Sequence, residues 1–115
     1  MIKPQTVSEK IISRHVGHAV AAGEIVITAV DGAMATDATA PLAIKAFEQM
    51  GGSQLWSAEK VSLVIDHASP APNERIGNLH KLMREFHREM GGHFYDTGQG
   101  ICHQLMVENG HVKPG

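Results

Sequence analysis

Cysteine is almost missing from this sequence: Cys102 is the only one in 115 residues. A lone cysteine excludes an internal disulfide and cannot by itself hold a multi-thiolate metal cluster. Charge of one sign is missing too. Ten Lys and Arg stand against twelve Asp and Glu, a formal net charge of −2 with histidines neutral, so the basic stripe of a sequence-blind nucleic-acid binder is not there. No run of like charges marks a tail. No apolar run is long enough to cross a membrane. The start, Met1-Ile2-Lys3-Pro4, has no long apolar core of a signal peptide. These absences make the cytoplasm the expected compartment and leave neither nucleic acid nor membrane as an expected partner. Repeats and low-complexity segments are absent as well.

What the chain does have is ordinary apolar content, 43%, and eight histidines. The first suits a packed domain or part of one. The second is a large number for this length, and imidazole is the side chain that titrates near neutral pH.

Helices and strands alternate along the chain, with glycines between them. Thr6-Val7-Ser8-Glu9 is a capping-box pattern that opens a first helix. Residues 25–30, Ile-Val-Ile-Thr-Ala-Val, are rich in β-branched side chains and read as a buried first strand, ended by Asp31-Gly32. A second helix starts near Pro41, with Ala43, Phe47 and Met50 on its apolar face and Gly51-Gly52 as its stop. Residues 61–65 form a second buried strand that runs straight into Asp66-His67. The spacing of Ile76, Leu79, Leu82, Met83, Phe86 and Met90 predicts a helix over 73–90, capped near Asn73 and stopped by Gly91-Gly92. His93-Phe94-Tyr95 is a short third strand, and a short helix over 101–108 follows the Gly98-Gln99-Gly100 loop.

This order implies an α/β fold, three layers αβα with a mainly parallel sheet. Ligands of such sheets bind beyond the carboxyl ends of the strands. The segments leaving the three expected strands are 31–39, 66–72 and 96–103, all rich in Asp, Thr, Gly or His.

Asp66-His67 is the sharpest local feature. A carboxylate beside an imidazole favours the charged ring and orients it, and such a ring can protonate a leaving hydroxyl. The plainer reading of the same two residues is a turn-capping aspartate next to an exposed histidine. His103 follows a glycine loop whose backbone can approach a ligand closely, and a helix starting there would aim free N–H groups at an anion. An incidental histidine after a connector is the plainer alternative. Thr36-Asp37-Ala38-Thr39 could bind a hydroxy acid, but capping of the next helix is the favoured role for Asp37 and Thr39. Cys102 reads as a small buried residue. His80 and His87, with Arg84 and Arg88 around them, read as a solvated helix face, not a metal site. His15, His18, His93 and His111 form no pattern.

Taken in order, several stretches resemble the aconitase superfamily, and within it the large subunits of the isopropylmalate dehydratase and homoaconitase type. They are residues 6–15 (Thr-Val-Ser-Glu-Lys-Ile-Ile-Ser-Arg-His), Gly23-Glu24-Ile25-Val26, residues 37–44 (Asp-Ala-Thr-Ala-Pro-Leu-Ala-Ile), Val64-Ile65-Asp66-His67, residues 72–76, residues 82–86 and Gly100-Ile101-Cys102-His103-Gln104. The resemblance spans nearly the whole chain, and its strength lies in the ordered combination.

The resemblance implies that residues 1–115 are the N-terminal part of an iron–sulfur large subunit, within an aconitase-like domain. It implies an isomerisation of a small hydroxy di- or tricarboxylate by dehydration and rehydration, with dimethylmalate dehydratase as a further relative type. Asp66 and His67 match the family's Asp-His pair, the histidine acting as acid; His103 matches the histidine of its Gly-Ile-x-His segment; Thr36 falls where relatives carry a polar substrate contact. A [4Fe–4S] cluster serves as Lewis acid in the full-length family, and the serine base lies on a swivelling domain or small subunit. This sequence ends at Pro114-Gly115, before the family's Asp-Ser-His motif, the three cluster cysteines and the later carboxylate-binding arginines. The implied partners are therefore a hydroxy-acid substrate, the rest of the large subunit and a small subunit, and no cluster and no turnover are expected of these residues alone. A free-standing binding or assembly module, or one part of a split enzyme, is the competing reading. A sheet of few strands with an unfinished edge would favour a missing remainder or a homo-oligomer over a free monomer.

Overall fold

The computed structural model describes residues 3–115, so the first two positions of the Met1–Pro4 start lie outside the described residues. The elements run α1 (Val7–Val16), β1 (Ala33–Thr36), α2 (Ala40–Gln49), a 3-10 turn (Ala58–Lys60), β2 (Val61–Val64), α3 (Glu74–Met90), β3 (His93–Tyr95) and α4 (Cys102–Glu108). The chain divides into two compact units. One is made of the residues up to Asp31 with Pro114 and Gly115; the other is Gly32–Lys113.

In the first unit, the capping box expected for α1 is formed. Thr6 Oγ1 accepts from the Glu9 N–H at 3.2 Å, and Glu9 Oε2 accepts from the Thr6 N–H at 2.7 Å. Ser13 Oγ accepts from the Val20 N–H at 3.0 Å, which ties the chain after α1 back onto the helix.

The expected first strand is not where its β-branched run lies. Residues 25–30 have no regular secondary structure, and Ile25 and Ile27 are 99% and 96% exposed. The true first strand is the next segment, Ala33-Met34-Ala35-Thr36. Intrinsic β-preference mostly reports how well a side chain fits a half-covered pleated surface. Here the pairing with β2 decides, and a weak strand former wins because it is the one that is paired.

In the second unit, three parallel strands lie in the order β1-β2-β3. Ala35 stands opposite Leu63 and Thr36 opposite Val64; Leu63 and Val64 in turn face Phe94 and Tyr95. Side chains alternate across the sheet. Leu63 and Ile65 join Ala40, Ile44, Met83 and Phe86 in one core, beneath α2 and α3. Val64 joins Cys102, Leu105 and Met106 in the other, beneath α4. Helices therefore cover both faces, the three-layer α/β arrangement expected from the sequence. Crossovers of one hand in a sheet of sequential order put α2 and α3 on the same side.

Two helix faces differ from expectation. The inward side of α2 is Ala40, Ile44 and Phe47, whereas Ala43 and Met50 are exposed. The slip is small because Phe47 belongs to both stripes. The Phe47 ring also reaches Gly52, where an added Cβ would stand 2.6 Å from it and would displace the ring. On α3, His80 is buried and His87 stacks on Phe94 with ring centroids 5.1 Å apart, so neither sits on a solvated face.

Candidate functional site

Three segments leave the carboxyl ends of the strands: 37–39 after β1, 65–73 after β2 and 96–101 after β3. The ladder continues one residue past β1 and β2. The Asp37 N–H donates to the Val64 carbonyl at 3.0 Å, and the Ile65 N–H to the Tyr95 carbonyl at 2.9 Å. Asp37 and Asp66 are thus delivered by the rigid sheet to the same edge.

Asp66 and His67 are brought together as expected. His67 Nδ1 lies 2.7 Å from Asp66 Oδ1. The histidine side chain is 52% exposed while that of Asp66 is buried. With Nδ1 turned to the carboxylate, Nε2 is the ring atom left for a ligand. The hydrogen bond to Asp66 and its charge raise the His67 pKa above its ordinary 6.5 against the opposing effect of burial, with a lesser contribution from Asp37 at 3.7 Å. Burial alone would push the Asp66 carboxyl up. The Cys102 N–H and the hydrogen bond from His67 outweigh it, and Asp66 titrates below the usual carboxylate range.

Asp66 also fixes the third segment. Its Oδ2 accepts from the Cys102 N–H, the first residue of α4, at 2.6 Å. The anion expected at this helix start is therefore a side chain of the protein itself. Gly100, just before, has φ +138°, and a Cβ there would stand 3.2 Å from the Leu105 side chain. The glycine serves the packing of α4 against its own loop. His103 follows Cys102 on α4 and is exposed. It stands on the backbone that Asp66 anchors, and among the described residues no side-chain hydrogen bond engages its ring. Cys102 is buried, as expected.

Thr36 is the last residue of β1 and is buried. Its Oγ1 accepts from the Ala38 N–H at 3.3 Å, and its own N–H donates to Thr39 Oγ1 at 3.0 Å. Thr39 is the residue before α2, yet its hydroxyl caps no helix N–H.

The capping role expected for Thr39 and Asp37 is thus filled by neither. The Asp37 carboxylate turns to the loop after β2 and accepts from the N–H groups of Asp66, His67 and Ala68 and from His80 Nε2. Burial would raise its pKa, but these four hydrogen bonds, led by those of Ala68 and His67, hold it below the ordinary value. A usable signal existed for His80: it lies four residues after Ile76 and three before Met83, on the apolar stripe of α3 and not opposite it. For Asp37 no local signal exists, because its partners lie 29 to 43 residues away.

Asp37, Asp66 and His67 present ligand-type atoms within 4.8 Å of one another. The carboxylate oxygens of Asp37 already accept four donors, which is the pattern of a structural anion and not of an open cation site. Among the described residues no helix is long and apolar enough to cross a membrane.

A model of the aconitase family (aconitate hydratase) matches residues 9–115. Among curated relatives, 3-isopropylmalate dehydratase large subunit 1 of Thermotoga maritima is 50% identical over 111 residues, which covers 96% of this chain and 26% of the relative. The protein of the same name from Methanopyrus kandleri is 43% identical over 112 residues, 96% of this chain and 27% of the relative. Homoaconitase large subunit of Thermus thermophilus is 40% identical over 111 residues, with coverages of 96% and 26%. The chain thus spans about a quarter of the length of the curated relatives it matches.

Proposed function

Because this chain belongs to the aconitase family, we propose that it supplies the histidine-bearing edge of a hydro-lyase site, as the N-terminal part of a 3-isopropylmalate dehydratase large subunit. The observation that carries the reading is the pair itself: His67 Nδ1 at 2.7 Å from Asp66 Oδ1, on the outer rim of a parallel sheet, with the ring half exposed.

In this reading the substrate is a small hydroxy di- or tricarboxylate. His67, whose charged form Asp66 favours, gives a proton from Nε2 to the departing hydroxyl, general acid catalysis by a ring fixed in place. Asp66 is the orienting partner, as a carboxylate on one imidazole nitrogen sets the tautomer and direction of the other. His103, exposed on α4, is proposed as a further polar contact to the substrate. Thr36, at the end of β1, is the proposed substrate contact, the least accessible of the four. The name of the Thermus relative supports homoaconitase activity as the second reading.

The [4Fe–4S] cluster that family membership implies does not fit the residues present here. A cubane is held by several thiolates. The one cysteine is buried, and burial, with the Asp66 carboxylate next to it, pushes its thiol pKa up, away from the thiolate a cluster needs. We place the cluster ligands on other residues of the large subunit, and the proton-abstracting base on a small subunit. The cytoplasm is the proposed compartment.

The test is kinetic. In the full-length enzyme with its partner subunit, His67→Asn should lower kcat by about 100-fold or more with a smaller change in KM. In Asp66→Asn the activity that depends on protonated His67 should fall off at lower pH than in wild type, because the raised pKa of His67 comes first from Asp66. Wild-type turnover in His67→Asn would sink the reading.

A further inference from the structure

We propose that Asp37 is a positioning residue for this site and that His80 locks it in place, so that one buried carboxylate holds the backbone that carries Asp66 and His67. The proposal rests on the reading of His67 as proton donor and extends it to residues that touch no substrate.

Asp37 is fixed before its side chain does anything. Its N–H is tied to the Val64 carbonyl at 3.0 Å, an extension of the β1–β2 ladder. From there the carboxylate, 1% exposed, meets three successive N–H groups of the β2–α3 loop. Oδ1 accepts from Asp66 at 3.3 Å and from His67 at 2.9 Å; Oδ2 accepts from Ala68 at 2.8 Å. Consecutive N–H groups converging on one point form a nest that favours an anion. The fourth donor is His80 Nε2 at 3.2 Å, 2% exposed, from the middle of α3.

Residues 65–73 form no helix or strand, so nothing periodic holds the loop in shape. The Asp37 nest does. Asp66 can reach His67 at 2.7 Å and Cys102 N at 2.6 Å only while its backbone stays in register with the sheet edge. An amide at position 37 has one acceptor oxygen, and its NH₂ group would face donors. The substitution Asp37→Asn therefore breaks the nest while keeping size and shape. The groups that face His67 are Asp66 on its own loop and Asp37 just past β1; His80 from α3 is hydrogen-bonded to Asp37 and also lies near Asp96.

The experiment follows the His67 ring by NMR titration in the full-length protein carrying labelled histidine, with the signal assigned by its loss in His67→Asn, and measures kcat and KM in parallel. Asp37→Asn should move the His67 midpoint down by about half a unit or more and lower kcat at least about tenfold with a smaller effect on KM. His80→Leu should move both in the same direction by less. His80→Gln, which keeps an N–H donor in a similar place, should return both toward wild type. Asn at position 37 also removes a charge 3.7 Å from His67 and lowers the midpoint on that ground alone, so positioning is read in His80→Leu, which keeps that charge: a purely structural role of His80 would lower the thermal midpoint and leave the His67 titration where it was. A folded Asp37→Asn protein with a wild-type His67 midpoint overturns the proposal. A wild-type midpoint in His80→Leu does the same. Full activity in His67→Asn would remove the proton-donor reading alone, since the midpoint in Asp37→Asn is read without turnover.

Discussion

Arg84 and Asp96 meet through two hydrogen bonds, Nε to Oδ2 at 2.7 Å and Nη2 to Oδ1 at 2.8 Å, linking the middle of α3 to the end of β3. The guanidinium holds the Asp96 carboxyl down to about 2 from an ordinary 3.8, against the effect of burial. A depressed carboxylate pKa contributes stability that is fully present above the unfolded value and is lost as pH falls through the folded one. The pair should therefore help the fold at neutral pH and fail between about pH 4 and pH 2. Both side chains are about 40% exposed, so solvent screening reduces the effect, and Arg84→Ala should cost about 1 kcal/mol at pH 7. Arg84→Lys should not restore it, because an ammonium cannot make the two-pronged contact. Denaturant titrations at pH 7 and pH 3 check this: the gap between wild type and Arg84→Ala should narrow at the lower pH. At this scale the sequence was legible where partners are neighbours. Asp66 and His67 are adjacent, and so their pairing was visible. Asp37 lies 43 residues from His80, and no local pattern joins them.

The helix α3 was the most readable element because its apolar stripe is long and its ends are marked by Asn73 and Gly91. Asn73 Oδ1 accepts from the Ile76 N–H at 3.0 Å, and Asn73→Ala should destabilise the protein by about 1 kcal/mol. Hydrogen exchange should show this first at the amides of the first turn, with β2 and β3 unchanged. α1 carries a full capping box but no buried residue. It is a helix made legible by its cap and not by its core. β1 was illegible for the opposite reason. Ala33-Met34-Ala35 has no β-branched residue, and what makes it a strand is β2 beside it.

The core of Gly32–Lys113 is built from both sides of a three-stranded sheet, and Met83 is fully buried at the centre of the larger side. Met83→Ala should cost about 3 kcal/mol, seen as a lower denaturant midpoint with an unchanged slope. Among the described residues β1 and β3 each pair on one side only. Unpaired strand edges invite pairing, so both sides of this sheet can accept a further strand.

The sequence by itself determined the alternation of helices and strands, the start of α1, the ends of α3 and α4, and the Asp66-His67 pair, because each depends on residues a few positions apart and on periods of 2 and 3.6. Only the tertiary structure decided which segment became β1, which side of α2 faced inward, and that Asp37 and His80 lie under the His67 loop. Those outcomes depend on strand register across two crossovers. The register is set by how side chains pack against distant partners, and no short-range pattern encodes it.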